Sequence, residues 1–139
     1  MQPGTYQFEP HTAEVQFRVE GTSLPELFEE SGYALAELML GESPPEPPRD
    51  AEEEQVTLES ADTEALLVDW LNELISRADT KKRVYTHIVV DDVSERKLRA
   101  RIRGFTPEVL KTAVKAATFH GLEIREHEEG FNATVVLDV

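Results

Sequence analysis

The last nine residues of the sequence, FNATVVLDV, constrain the fold more than any other segment. Apolar residues there alternate with mostly polar ones: Phe131, Ala133, Val135 and Leu137 against Asn132, Thr134, Val136 and Asp138. A period of two is typical of a β-strand that buries one face. A first strand is predicted within residues 6–20, where Val15, Phe17 and Val19 repeat the pattern. If these two strands are neighbours, distant parts of the sequence meet at one end of a sheet.

Two segments show the helical spacing of apolar residues instead. The first helix is predicted to begin after Ser23, which forms a capping box with Glu26, and to end at Gly41. Its apolar stripe comprises Leu24, Leu27, Phe28, Ala34, Leu35, Leu38 and Met39. The second helix is predicted to begin after Asp62, which can cap it. Its stripe comprises Leu67, Trp70, Leu71, Leu74 and Ile75.

The other periodic segments predict further strands, at residues 55–59, 84–90, 97–103, 114–119 and 122–126. Together with the helices they indicate an α+β fold: a mostly antiparallel sheet with two amphipathic helices packed on one face. The chain has 139 residues, which favours a single domain over residues 1–139. Residues 42–54 carry four prolines among acidic residues and no apolar period, which predicts an exposed, extended loop within that domain.

The charge of the chain disfavours several functions. Fourteen Lys and Arg residues stand against 28 Asp and Glu residues, giving a net charge of −14. Proteins whose main activity is nucleic-acid binding normally carry the opposite excess, so no strong direct RNA or DNA binding is expected. Cysteine is absent, which excludes disulfides and thiolate metal sites. The sequence shows no signal peptide and no apolar run that could span a membrane, so a cytoplasmic protein is expected.

Several recurrent nucleotide-binding and catalytic motifs are missing. The sequence contains no P-loop, no GxGxxG, no GxSxG and no HExxH. Lys115 is a polar residue within an apolar segment and could serve as a catalytic amine or phosphate anchor, although such a lysine more often faces solvent. His120, before Gly121, could be a general base or a ligand, although a turn position is the more frequent explanation.

Other polar residues leave alternatives open. The Lys97, Arg99, Arg101 and Arg103 face could contact RNA or an acidic partner, but a solvated face balanced by nearby acids is favoured. Asp69 and Asn72 flank the predicted buried Trp70, and either could contact a partner or cap a backbone group. Glu14 and Asp138 would lie together if the first and last strands pair. Spacing alone favours two solvated carboxylates there over a site for a hard cation such as calcium.

Four segments together resemble the archease family: HTAEVQFRVEG, LLVDWLNELI, AVKAATFHGLEI and ATVVLDV. They follow the family's order and cover most of the chain outside the proline-rich loop. The resemblance implies a small α+β protein that is not itself an enzyme and assists a GTP-dependent RNA-splicing ligase. Such a protein promotes guanylylation of the ligase's active-site histidine and repeated turnover in tRNA splicing or RNA repair.

The resemblance also implies site residues. A divalent cation, typically calcium, is expected with Glu14, Asp138 and Val139 as ligands, Val139 through a main-chain or terminal oxygen. The family usually has Asp where this chain has Glu14, which changes the reach of the carboxylate. Lys115 matches a family lysine linked to activation of the ligase.

Two rival functions remain at this stage. The same resemblance is compatible with a chaperone or modulator of another RNA-modifying enzyme, such as a tRNA methyltransferase. A small hydrolase would instead need Glu14, His120 and Lys115 within hydrogen-bond reach of one shared pocket.

Overall fold

The structure is a computed structural model that describes residues 4–5 and 13–139. Two helices and seven strands follow in chain order: β1 (Glu14–Gly21), α1 (Leu24–Leu40), β2 (Glu54–Glu59), α2 (Thr63–Lys81), β3 (Val84–Val93), β4 (Lys97–Phe105), β5 (Ala116–Thr118), β6 (Arg125–His127) and β7 (Gly130–Asp138). No helix in these described ranges has the length and hydropathy needed to cross a membrane.

The strands form two antiparallel sheets. In the first sheet β7 is central, with β1 along one edge and both β5 and β6 along the other. The second sheet has the order β2-β4-β3. The α+β class and the antiparallel pairing are confirmed, but the strands divide between two sheets where the sequence predicted one. An alternating pattern shows which face of a strand is buried and leaves open which strands share hydrogen bonds.

The pairing of β1 with β7 follows the predicted alternation. The register runs without a break from Glu14 opposite Asp138 to Gly21 opposite Phe131. Ala133, Val135 and Leu137 of β7 are buried in the core. The predicted first strand also included residues 6–12, which lie outside the described residues.

Both predicted helix starts are confirmed by their caps. The Ser23 hydroxyl accepts a hydrogen bond from the Glu26 amide at 3.3 Å, and the Asp62 carboxylate accepts one from the Ala65 amide at 2.8 Å. Helix α1 ends where Gly41 adopts a left-handed conformation, with φ at 77°. These side chains satisfy amide groups that a helix terminus leaves without intrahelical partners.

Side chains of α1 cover the free edge of β3. The Tyr33 hydroxyl accepts a hydrogen bond from the Ile88 amide at 3.0 Å and donates one to the Ile88 carbonyl at 3.2 Å. The Glu29 carboxylate accepts a third from the Val90 amide at 2.8 Å. Trp70 of α2 is fully buried, and its indole N–H donates to the Phe28 carbonyl at 2.9 Å. Helix α1 therefore joins the second sheet to α2.

Two segments differ from their predictions. The strands expected at 114–119 and 122–126 are reduced to the three-residue β5 and β6, because the chain turns between them and Gly121 takes a φ of 64°. The loop between α1 and β2 is largely exposed, although Pro47 is buried. Glu54, which the sequence placed in this exposed loop, is instead buried as the first residue of β2, because its position alternates with the strand that follows. Arg103 fastens this loop by donating to the carbonyls of Pro48 and Arg49 at 2.9 Å and of Ala51 at 3.2 Å.

Candidate functional site

Three segments meet at one end of the first sheet. Glu14 begins β1 and lies directly opposite Asp138, which ends β7. The Val139 amide donates a hydrogen bond to the Ala13 carbonyl at 3.0 Å, and the Lys115 amide donates one to the Asp138 carbonyl at 2.8 Å. We refer to these five residues as the tip. All four residues that the sequence singled out for a metal site and for activation therefore belong to one small region.

The two carboxylates of the tip share one face of the sheet. Residues directly opposite each other on antiparallel strands project to the same side, with Cα atoms about 5 Å apart. Like charges at this position repel each other. Within residues 13–139, no salt bridge is made to either Glu14 or Asp138. The pair therefore produces a negative local potential that a cation would relieve.

The donor set of the tip fits a hard cation. Calcium prefers carboxylate and carbonyl oxygens and takes six to eight of them. Glu14 and Asp138 offer carboxylate oxygens, and the main chain of Val139 offers a further oxygen beside them. No group of three or more His, Asp or Glu side chains is placed to hold a metal in the part of the chain that the structure describes. A cation bound at the tip would therefore need further oxygens from water or from another molecule.

Lys115 is held by its backbone, and its side chain is exposed. Asn72 of α2 stabilises β5, the strand that begins directly after Lys115. The Asn72 side chain donates to the Ala117 carbonyl at 3.2 Å and accepts from the Ala117 amide at 2.8 Å. A side-chain amide thus replaces the missing neighbour of β5 and fixes the edge of the sheet next to Lys115. Of the two roles that the sequence left open for Asn72, contact with a partner or capping of a backbone group, this contact is the second. Asp69 accepts a hydrogen bond from the Ser60 hydroxyl.

His120 does not belong to the tip. It follows β5 at the end remote from Lys115, and its amide donates to the Thr118 hydroxyl at 3.2 Å. A hydrolase would need His120, Lys115 and Glu14 around one pocket. The topology brings Lys115 and Glu14 to one end of the sheet and His120 to the other end of β5. His11, which precedes Glu14 in the sequence, lies outside the described residues.

The basic face of β4 is partly neutralised within the protein. Arg101 binds the Asp91 carboxylate through two nitrogens, at 2.9 and 2.8 Å, and this guanidinium lowers the pKa of Asp91. Arg103 is engaged by the proline-rich loop. Lys97 and Arg99 are exposed. This arrangement matches the favoured interpretation of a solvated face balanced by nearby acids.

A buried carboxylate that the sequence did not single out lies in the second sheet. Glu54 is 6% exposed and accepts hydrogen bonds from Lys81 at 2.6 Å, Arg83 at 3.0 Å, Arg77 at 3.3 Å and the Tyr85 hydroxyl at 2.7 Å. Its position offered one signal, since Glu54 precedes the inward-facing Val56 by two residues and therefore lies on the apolar face of β2.

These contacts shift the pKa values of Glu54 and of the Tyr85 hydroxyl. Burial acts to raise the pKa of Glu54, but hydrogen bonds from Lys81, Tyr85 and Arg83 outweigh burial and lower it below 4.5. Burial and the hydrogen bond to Glu54 raise the pKa of Tyr85. Both effects favour a charged Glu54 beside a neutral Tyr85, which is a structural arrangement in which both carboxylate oxygens accept hydrogen bonds.

Comparison with known proteins places these features in a family context. The sequence model of the Archease protein family (MTH1598/TM1083) matches residues 6–139. A protein archease of Methanosarcina acetivorans is 31% identical over 144 residues, with 96% of this chain and 95% of the relative covered. A protein archease of Archaeoglobus fulgidus is 33% identical over 138 residues, with 96% and 98% covered.

Two solved structures share the fold. The solution structure of Methanobacterium thermoautotrophicum protein 1598 superposes with a TM-score of 0.68 at 30% identity, covering 95% of this chain and 96% of the other. The crystal structure of an archease from Thermotoga maritima, described as a possible chaperone, superposes with a TM-score of 0.65 at 24% identity. It covers 98% of this chain and 100% of the other.

Proposed function

Because the chain belongs to the archease family, we propose that it is a non-catalytic activator of a GTP-dependent RNA-splicing ligase. In this role it promotes guanylylation of the ligase and repeated turnover in tRNA splicing or RNA repair. A cytoplasmic location and a bound divalent cation, with calcium as the first candidate, belong to the same proposal. The observation that carries it is the open carboxylate pair of Glu14 and Asp138 at the tip.

The geometry of the tip supports a role at a protein surface. The two carboxylates belong to strand ends and are not enclosed by the fold, as Glu14 is exposed and Asp138 is partly exposed. A cation held by so few protein ligands would supply positive charge with coordination positions left for a group of another molecule. Glu14, Asp138 and Val139 would hold it, and the antiparallel register would orient them.

The charge of the protein supports a protein partner over direct binding of the RNA substrate. A net charge of −14 repels the phosphate backbone and attracts a basic protein surface. The absence of recognisable nucleotide-binding motifs in the sequence is consistent with GTP chemistry carried out by the ligase. Activation then amounts to favouring a competent conformation of the partner, which requires that the protein bind that conformation more tightly.

Lys115 is the candidate for a direct contact with the ligase. Its amide is hydrogen bonded to the Asp138 carbonyl, and its side chain is exposed. An exposed ammonium group on a residue of the tip can bind an acidic or phosphate oxygen of a docked partner. Substitution by Met, which keeps most of the side-chain length and removes the charge, tests this contact.

The deciding experiment is a ligation assay with the RNA-splicing ligase of the same organism, substrate in excess, GTP and a divalent cation. We expect the protein to convert a single turnover into repeated turnover. Asp138→Ala should abolish that gain, whereas Asp50→Ala, which removes an exposed carboxylate from the proline-rich loop, should retain it. Circular dichroism and thermal melting verify that both variants are folded. Full activation by a folded Asp138→Ala protein would contradict the role of the tip.

A second candidate function is that of a chaperone or modulator of another RNA-modifying enzyme, such as a tRNA methyltransferase. The description of the Thermotoga maritima archease as a possible chaperone favours considering it. Affinity capture from native extract separates the two proposals. Recovery of a methyltransferase without the ligase would support this second candidate.

A further inference from the structure

Within residues 13–139, one face of the first sheet is not covered by a helix. On β1, Val19 belongs to the core and Phe17 packs against it, whereas Gln16 and Arg18 are exposed. On β7, Ala133, Val135 and Leu137 likewise belong to the core. We call the opposite face of this sheet the outer face. It comprises the even-numbered residues of β1 and β7, and those residues of β5 and β6 that pair with even-numbered residues of β7. Glu14 and Asp138 of the tip occupy one end of it.

Two arginines lie farther along this outer face. Arg18 is directly opposite Thr134, and Arg125 of β6 is directly opposite Asn132. Since β1 and β6 flank β7 on its two sides, both guanidinium groups project over the same stretch of β7. These four residues line one shallow polar cavity of about 250 Å³, together with Gly121 and Glu123. The two guanidinium groups lie on a chain whose net charge is −14.

The present bonds of both arginines are weak. Arg18 donates to one oxygen of Glu20, through Nε at 3.3 Å and Nη2 at 3.2 Å. Arg125 donates a single bond of 3.1 Å to Glu123. All four side chains are about two-thirds exposed, and exposed ion pairs contribute roughly 0–1 kcal/mol. Each guanidinium carries five N–H donors, so both can accept a new carboxylate at little cost.

The charge distribution indicates what kind of anion would bind. A free RNA strand would approach a strongly negative molecule and find only two arginines to oppose the repulsion. A protein surface that is basic overall would be attracted by the same field, and one carboxylate on that surface could meet the arginine pair at close range. The observations therefore favour a protein partner that presents an acidic side chain within a basic surface.

We propose that the outer face of the first sheet is the docking surface for the RNA ligase, with Arg18 and Arg125 binding an acidic side chain of that ligase. The proposal rests on the function proposed above for the identity of the partner. Glu14 lies four residues from Arg18 along β1, or about 13 Å at the usual rise of a strand. A partner that reaches the tip carboxylates from solvent covers the intervening part of the outer face, so the two contacts belong to one interface.

The test compares two charge reversals of equal size. The double variant Arg18→Glu/Arg125→Glu removes the arginine pair, and Lys97→Glu/Arg99→Glu makes the same change on exposed residues of the second sheet. Binding of the purified ligase to each protein is measured by isothermal titration calorimetry at two salt concentrations, alongside multiple-turnover ligation. We expect the first variant to weaken binding by about tenfold or more and the second by only a few-fold. Arg18→Lys/Arg125→Lys should retain most of the affinity.

The outcomes separate this proposal from the proposed function. If Arg18→Glu/Arg125→Glu binds the ligase as tightly as the wild type while Asp138→Ala still abolishes activation, the docking surface is wrong and the activator function stands. If the wild-type protein neither binds nor activates the ligase, the proposed function fails and the docking proposal with it. If a 3′-phosphorylated RNA oligonucleotide binds the protein and this binding requires both arginines, the pair binds RNA and the proposal is also overturned.

Discussion

Two sets of carboxylates in this protein have opposite surroundings. Glu54 is buried and accepts hydrogen bonds from three cationic side chains and one tyrosine hydroxyl. Glu14 and Asp138 lie side by side at strand ends, where like charges repel. Both carboxylate oxygens of Glu54 are engaged by the chain itself, whereas Glu14 and Asp138 have no salt-bridge partner within residues 13–139. The contrast separates an acidic group that maintains the fold from a pair available for binding.

The largest effect on stability is expected from Glu54. Glu54→Ala would leave Arg77, Lys81 and Arg83 without their shared acceptor and the Tyr85 hydroxyl buried without a partner. An unsatisfied buried hydroxyl costs about 1–3 kcal/mol, and the three partly exposed cations add less than a fully buried charge would. A total of about 2–3 kcal/mol corresponds to a fall in Tm of roughly 10 °C for a domain of this size. Thermal melting of the two proteins measures the difference, and a change of Tm within experimental error would show that the cluster contributes little.

The tip carboxylates should show the opposite behaviour, with little effect on stability in the absence of a metal. Added calcium is expected to raise the Tm of the wild type, since a ligand at 100 times its Kd contributes about 2.7 kcal/mol. Asp138→Asn should lose most of this gain and keep the metal-free Tm. A calcium titration followed by differential scanning calorimetry measures both quantities, with Asp50→Asn as the control. An equal calcium response in Asp138→Asn would mean that the cation binds elsewhere.

A smaller effect is expected on the pH dependence of stability. The folded-state pKa of Glu54 is lowered below 4.5, so the group contributes stability above that pH and loses it as the pH falls through the folded value. Glu54→Gln, which removes the ionisable group, should therefore show a shallower loss of stability on acidification. Urea unfolding from neutral pH to below pH 4.5 tests this, and parallel curves for the two proteins would contradict it.

The smallest effect concerns the length of one side chain at the tip. Glu14→Asp introduces the residue that the family resemblance predicts at this position and shortens the side chain by one methylene. We expect it to tighten calcium binding by about two- to fivefold, less than about 1 kcal/mol, because the shorter carboxylate has fewer rotamers to order. Isothermal titration calorimetry compares the affinities. Weaker binding by Glu14→Asp would indicate that this site is adapted to the longer side chain.

Local sequence signals predicted the secondary structure better than they predicted the sheets. The caps at Ser23 and Asp62 and the alternation in β7 depend on residues within a few positions of each other, and all three are confirmed. The division into two sheets depends on hydrogen bonds between remote segments, which alternation does not specify. β5 was predicted too long because the chain turns between β5 and β6 at Gly121, and the apolar pattern on either side of that turn does not reveal it.

Prediction of the candidate site was also limited by contacts between segments that are remote in the sequence. The meeting of Glu14 with Asp138 was conditional on pairing of the first and last strands, and the structure has that pairing. The choice of these residues as calcium ligands, and of Lys115 for activation, came from the resemblance and stays a prediction. The Glu54 cluster was missed because its donors come from α2, β3 and the short segment between them, and only the folded chain brings those residues around one carboxylate.

The pairing of β1 with β7 also has a consequence for biosynthesis. The ribosome produces β1 early, and its hydrogen-bonding partner emerges only after every other element of the fold. Contacts between such distant segments form slowly, since a long loop must be closed before they gain any energy. The nascent chain can therefore assemble the second sheet and both helices before β7 is available to pair with β1. The Glu14–Asp138 pair therefore forms only after β7 has been synthesised, and a chain truncated before β7 would lack the tip on which the proposed function rests.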